Sequence, residues 1–178
     1  MGKHKIKNQV NHGLSAKTIV IGLLVCIALI VGFAFITTAG QKPKPATASY
    51  SPTDNEKPIA EANLTSVDLG EINLKDIKQQ DFTLTNTGTK PLQIIKVTTS
   101  CGCTSGQIIY NGQTSKEYSM HSPSDFVTEI APGGSATVRL TYRPATMPVY
   151  GPVERAVYVS TNDPANPNLV FSVKASVK

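Results

Sequence analysis

The most reactive side chains of this sequence are the thiols of Cys101-Gly102-Cys103. Two cysteines one residue apart share a face of an extended strand or turn, with Cα atoms roughly 6–7 Å apart. In a helix they would diverge by about 200° and serve no common ligand. Gly102 lets the chain bend between them by allowing positive φ. Paired thiolates suit a soft metal such as Cu(I), or they close as a labile disulfide. A Zn²⁺ centre takes four ligands, and His121 is the one other His or Cys in the chain beyond residue 40. The plain alternative is that the pair closes the end of a strand, bridged or as two partly covered thiols. Structural, metal and redox roles all remain open here, and no other cofactor is expected. A bridge across one residue removes little entropy from the unfolded chain and stabilises by about 1 kcal/mol or less.

Other polar clusters carry less. His121-Ser122-Pro123-Ser124-Asp125 has the residue types of a hydrolase, but a triad needs an oxyanion hole and there is no Gly-x-Ser-x-Gly elbow. It reads as a surface loop. There is no glycine-rich phosphate loop and no His-Glu-x-x-His, and the chain is read as a non-enzyme. Asp54 and Glu56 fall in a proline-rich stretch and read as solvated. Asn63-Leu64-Thr65 is a formal glycosylation triplet of the kind that arises by chance.

The elements that position the cysteines begin after a membrane signal. Ile19 to Ile36 reads IVIGLLVCIALIVGFAFI, without a charge. As a helix this is roughly 27 Å long, close to the ~30 Å hydrocarbon core. Cys26 sits within the run as a small apolar residue, since lipid attachment would want a small residue before it and Val25 precedes it. Lys3, Lys5, Lys7 and Lys17 flank the run without any acid. They account for +4 of the net +5, leaving 13 basic against 12 acidic residues over 41–178. The cationic side stays in the cytoplasm, so a single-pass anchor is expected with the C-terminal part outside, in the periplasm or at the cell surface. The near-neutral remainder argues against nucleic acid.

Four regions follow: a basic tail over 1–17, a transmembrane helix over 18–38, a linker over 39–61 with prolines at 43, 45, 52 and 58, and a domain over 62–178. An extended tether of that length reaches up to roughly 70 Å. From residue 62 the pattern becomes short alternating segments. Ala136, Val138, Leu140 and Tyr142 alternate with polar residues, as do Phe82 and Leu84. Leu169, Phe171, Val173, Ala175 and Val177 mark another apolar face. With Thr65–Leu69, Ile77–Asn86, Leu92–Thr99, a ragged stretch near Glu117–Ile130, Ser135–Arg143, Val153–Thr161 and Asn168–Val177, about seven strands are expected. The fold class is all-β, an immunoglobulin-like antiparallel sandwich. There is no Trp, so aliphatic, Phe and Tyr packing must fill the core.

Several pieces occur in a recognisable order: Gly70-Glu71-Ile72, Phe82 to Gly88, Pro91 to Ile94, Ser100-Cys101-Gly102-Cys103-Thr104, Ile130 to Gly134, Gly151 and Val159 to Pro164. Over roughly 67–177 the chain resembles the bacterial family catalogued as domain of unknown function 1573. The resemblance implies an immunoglobulin-like fold akin to ciliary and major-sperm-protein-like domains, and an exported or membrane-tethered location. It implies no catalytic activity. Gln107–Thr128 is longer than in a typical member, so an extra loop or hairpin is expected there. Tyr110, Tyr118 and His121 are its candidate partner contacts. The functional expectation is a membrane-anchored binding or structural module whose partner is another exported or cell-envelope protein. The alternative is a Cu(I)-handling or thiol-redox accessory protein working through Cys101 and Cys103.

Overall fold

The computed structural model describes residues 16–38 and 46–178. They fall in two units, one within Met1–Lys44 and one within Pro45–Lys178. Most of the basic tail and the first part of the expected tether lie outside the described residues.

In the first unit, α1 (Ala16–Thr38) is helical over the whole apolar run. Apolar residues occupy every side of it, so it has no preferred face. Side chains are described for Lys17 and for 19–33, where all are exposed, and Cys26 is a free thiol. That described stretch falls short of the roughly 20 residues of a span. Among the described residues no helix is long and apolar enough to cross a membrane; Ala34, Phe35 and Ile36, which extend the run in the sequence, have no described side chains.

The second unit is a two-layer β-sandwich. Its strands are β1 (Ala60–Glu61), β2 (Ser66–Ile72), β3 (Lys78–Asn86), β4 (Leu92–Thr99), β5 (Thr104–Tyr110), β6 (Gln113–Thr114), β7 (Thr128–Ile130), β8 (Ser135–Tyr142), β9 (Gly151–Thr161) and β10 (Asn168–Val177). One sheet runs β1-β3-β8-β5-β6 and the other β2-β10-β9-β4-β7. Alternation puts Phe82 and Leu84 of β3, Val138, Leu140 and Tyr142 of β8, Val157 and Val159 of β9, and Phe171 and Val173 of β10 into one core.

There are thus ten strands among the described residues where about seven are expected. β1 and β6 are two residues long, too short to carry a period. β5 escapes sequence reading because the middle of its inward positions, between Thr104 and Ile108, is Gly106. A Cβ there would stand 2.8 Å from Val157 Cγ1 and 3.2 Å from Val97 Cγ1, so the side chain that would mark the period cannot fit. The ragged stretch near Glu117–Ile130 yields only β7. The sandwich is also not wholly antiparallel, because β2 runs parallel to β10. The two lie far apart in the chain, and the intervening strands serve as the crossover a parallel pair requires.

Two phase changes explain the less regular strands. β4 buries Leu92 and Ile94 but then Val97 and Thr99, switching from even to odd across a register shift between Ile94 and Lys96. β2 half-buries Val67 and Leu69 but buries Ile72, with Gly70 at φ 65° absorbing the extra residue.

Residues 46–61, tether-like in composition, run along the sandwich. Ala48 N–H donates to Gln93 Oε1 at 2.9 Å, and Gln93 Nε2 donates to the Ala46 carbonyl at 3.2 Å. β1 pairs with Thr85 and Asn86, and Ala60 is buried. Two buried side chains fix this arrangement. Asn86 accepts from the N–H groups of Ile59 (3.3 Å) and Gly88 (3.1 Å) while its amide donates to the carbonyls of Lys90 (2.8 Å) and Ile130 (3.0 Å). Asp163, fully buried, accepts from Ala60 N–H (2.9 Å), Ala165 N–H (2.8 Å) and Asn166 Nδ2 (3.1 Å). Burial pushes the Asp163 carboxyl up, but these donors outweigh it and hold it below the ordinary carboxylate value.

Gly88 lies directly under the 57–59 backbone, where a Cβ would meet Lys57 O at 2.3 Å and Ile59 N at 2.5 Å. Gly88→Ala is expected to destabilise the sandwich by about 2 kcal/mol or more in urea unfolding, with the turn forced open. Asp163 has a lowered folded-state value, so its contribution is present above the unfolded value near ~3.9 and is lost as pH falls through the folded one. The thermal midpoint should therefore hold between about pH 7 and 5 and drop below about pH 4. Asp163→Asn should cost about 2–3 kcal/mol at neutral pH and flatten part of that acid limb; an unchanged limb would assign the acid sensitivity to other carboxylates.

Candidate functional site

The turn from Ser100 to Cys103 carries the chain from β4 in one sheet to β5 in the other. Backbone bonds on both sides fix it. Ser100 N–H donates to the Ala156 carbonyl (3.0 Å), Ala156 N–H donates to Ser100 Oγ (2.9 Å), and Arg143 N–H donates to the Cys103 carbonyl (2.8 Å). Thr99 Oγ1 donates to the carbonyls of Cys101 (2.9 Å) and Thr104 (3.1 Å). In this turn Cys101 and Cys103 are joined as a disulfide, with Cα atoms 5.3 Å apart. Gly102 is not among the glycines with positive φ, so the expected left-handed bend is not what closes the pair.

The two sulfurs differ in surroundings. Cys103 is 2% exposed and belongs to the core cluster, whereas Cys101 is half-buried and packs on its edge. The Thr104 hydroxyl lies 3.2 Å from Cys101 Sγ and 3.9 Å from Cys103 Sγ. With the bridge closed neither sulfur is a thiolate. Among the described residues no three His, Cys, Asp or Glu side chains are grouped to hold a metal ion.

Two side chains from elsewhere in the chain flank this turn. A Cβ placed on Gly102 would stand 3.5 Å from His121 Cδ2, 3.6 Å from His121 Nε2 and 3.7 Å from Met147 Sδ. His121 comes from the long β6–β7 connection and Met147 from the β8–β9 connection, just after a 3-10 turn at Pro144–Thr146. Nothing in the sequence pattern pointed to Met147. On the same two connections Met120 (48% exposed), Met147 (50%), Val149 (44%) and Tyr150 (67%) are open to solvent.

The two tyrosines among the candidate contacts are turned away from solvent. Tyr118 is 6% exposed and exchanges two backbone bonds with Gly106, at 2.8 and 2.9 Å, as an isolated bridge on β5. Tyr110 is half-buried, and its hydroxyl accepts from Ala131 N–H at 3.0 Å. The expected hairpin is β5–β6, turned by Asn111 (φ 51°) and Gly112 (φ 74°), as the Asn-Gly dipeptide requires. Beside it an open cleft of about 350 Å³ is lined by Ile108, Tyr110, Gln113, Ser115 and Val127 among others. Of the three candidate contacts, His121 alone is exposed. Arg143 ties the same region down, donating to Ser105 Oγ and to Glu117 Oε1, each at 2.9 Å, and its guanidinium holds the Glu117 carboxyl below its usual value.

The family model described as HYDIN/CFA65/VesB-like, Ig-like domain matches residues 58–176. Among solved structures, a protein of unknown function from Porphyromonas gingivalis W83 is similar at 23% identity with a TM-score of 0.52, covering 70% of this chain and 49% of that one. This chain therefore spans about half the length of that structure, and the likeness concerns the fold. The PapD-like domain 7 of human CEP192 is similar at 15% identity with a TM-score of 0.42, covering 78% of this chain and 94% of that one. The secreted serine protease VesC from Vibrio cholerae is similar at 11% identity with a TM-score of 0.41, covering 62% and 21%. No curated protein matches.

The unequal burial of the two sulfurs separates their variants. Cys101→Ser is expected to cost about 1 kcal/mol or less, because the bridge it removes spans one residue. Cys103→Ser places a hydroxyl in the core cluster and should cost about 1–3 kcal/mol. Equal losses in urea unfolding would mean that the bridge, and not burial, governs both.

Proposed function

Because the chain belongs to the HYDIN/CFA65/VesB-like Ig-like domain family, we propose that it is a non-enzymatic docking module, held at the outer face of a cell membrane by its N-terminal apolar run. The all-β domain with its filled core is an Ig-like unit, and such units present partners with strand edges and end loops. The observation that carries the reading is the exposure of Met120, Met147, Val149 and Tyr150 on the two connections that bring His121 and Met147 to the disulfide turn. Apolar side chains gathered at one end of a small sandwich mark an interaction surface. Its occupant is another exported or cell-envelope protein.

Membrane attachment is supported by the uncharged sequence from Ile19 to Ile36 and by the lysines that precede it. Within the broader family, the Ser100–Thr104 motif supports assignment to the family of domain of unknown function 1573.

Two measurements test this. In intact cells or spheroplasts, the full-length chain should fractionate with membranes, and added protease should digest the sandwich; complete protection would overturn the topology. A photoreactive side chain at position 150 should give an adduct with a cell-envelope protein, while one at Val170, exposed on β10, should give none. Equal labelling at both positions, or none at 150, would remove the end cluster as the docking surface.

A further inference from the structure

We propose that the Cys101–Cys103 bridge is a thiol–disulfide exchange site that oxidises the dithiol of a partner protein, with Cys101 as the sulfur attacked and Cys103 as the sulfur released. The inference goes beyond docking, since it gives the disulfide turn a chemical step. Two observations carry it. Cys101 is half-buried at the edge of the core, whereas Cys103 is 2% exposed within it, so an incoming thiolate reaches one sulfur and not the other. The Thr104 hydroxyl stands 3.2 Å from Cys101 Sγ and 3.9 Å from Cys103 Sγ. Bridged sulfurs carry no hydrogen, so the hydroxyl is the donor, and it lies within reach of whichever sulfur becomes a thiolate.

The turn keeps its shape without the bridge. Its backbone is held by Ala156 on β9, Arg143 after β8 and Thr99 on β4, through bonds that involve no sulfur. Opening a bridge that spans one residue also releases little chain entropy. The reduced cysteines therefore stay side by side in the same turn. That arrangement selects the partner. A single thiol that opened the bridge would be expelled when the adjacent Cys103 thiolate attacks the mixed disulfide. A dithiol completes the exchange, because its second sulfur releases Cys101.

The exchange runs in two displacements. A partner thiolate attacks Cys101 Sγ; the partner–Cys101 bond forms, the Cys101–Cys103 bond breaks, and the electron pair goes to Cys103 Sγ, which takes up a proton. The partner's other thiolate then attacks its own bridged sulfur, and Cys101 leaves as a thiolate that is protonated in turn. The partner dithiol loses two electrons and two protons and becomes a disulfide. This chain gains both and becomes a dithiol.

The test uses the purified, oxidised full-length chain with Cys26→Ala, which removes the other thiol of the sequence. Without oxygen or urea, an excess of a reduced peptide carrying two cysteines should emerge with one peptide disulfide for each bridge opened, and the thermal midpoint of the chain should fall by no more than a few degrees. A bridge that opens only when urea unfolds the sandwich, or that yields no peptide disulfide, would overturn the proposal. Single-cysteine chains read the order of attack. Cys103→Ala should form a mixed disulfide with glutathione disulfide at Cys101 at least about tenfold faster than Cys101→Ala does at the buried Cys103. Equal rates, or a faster reaction at Cys103, would overturn the assignment; should Cys103→Ala fail to fold, the peptide oxidation still decides. Adding Thr104→Val should move the pH profile of the Cys101 reaction to higher pH, because the thiolate loses its donor, and an unmoved profile would overturn that role. All arms are read without a membrane or a protein partner, so their failure is distinct from failure of the cross-linking at position 150.

Discussion

Phe82 on β3 and Phe171 on β10 meet across the gap between the two sheets, with ring centroids 5.3 Å apart and planes tilted by 41°. That contact sets the spacing to which every other inward residue must conform. The chain has no Trp, and these two rings and that of Tyr142 are its largest fully buried side chains among the described residues. Opposite β5, Val157 and Val97 leave no room for a side chain, and glycine occupies position 106. A sandwich filled this closely tolerates neither a missing nor an added methyl group without cost.

The two ends of the sandwich are built from different chemistry. At the end where β3 finishes and β8 begins, Asn86, Gln93, Asn162 and Asp163 are buried and hydrogen-bonded. They bind the 46–61 segment to both sheets through backbone groups. Such a network is stable only when its donors and acceptors are matched, because unpaired buried polar groups are expensive. At the opposite end, where Tyr142 pairs with Thr104, the disulfide turn, His121 and Met147 come together. His121 and Met147 are exposed there, and Cys103, bridged to Cys101, belongs to the buried core cluster.

Burial also divides the long β6–β7 connection. Its backbone bonds to β5 at Tyr118 and to β4 at Ser124 and Val127, so it crosses from one sheet to the other in a fixed path. Ser124 contributes its hydroxyl too, accepting from Val97 N–H at 2.6 Å. Because that path is anchored, the exposed side chains along it, His121 among them, hold a defined place beside Gly102.

The sequence alone determined the features that depend on neighbours in the chain. Alternation disclosed the long strands β3, β8 and β10, since a strand with one buried face writes a period of two into its side chains. Cys101 and Cys103 declared a disulfide or a metal pair by spacing alone, and the length of Gln107–Thr128 pointed to an extra loop or hairpin without marking its turn at Asn111-Gly112. Tertiary structure decided whatever depends on residues remote in the chain. β5 was hidden because packing against β9 and β4 removed the side chain at position 106. The bulges in β2 and β4 shift the inward set by one residue, which breaks the period that a linear reading follows. Asp163 reads as a turn residue until its donors from Ala60 and Asn166 are seen, and Met147 as an ordinary apolar residue until it lies beside Gly102. These pairings lie between sheets and loops, where the distance in space is set by the fold and leaves no mark in the local pattern.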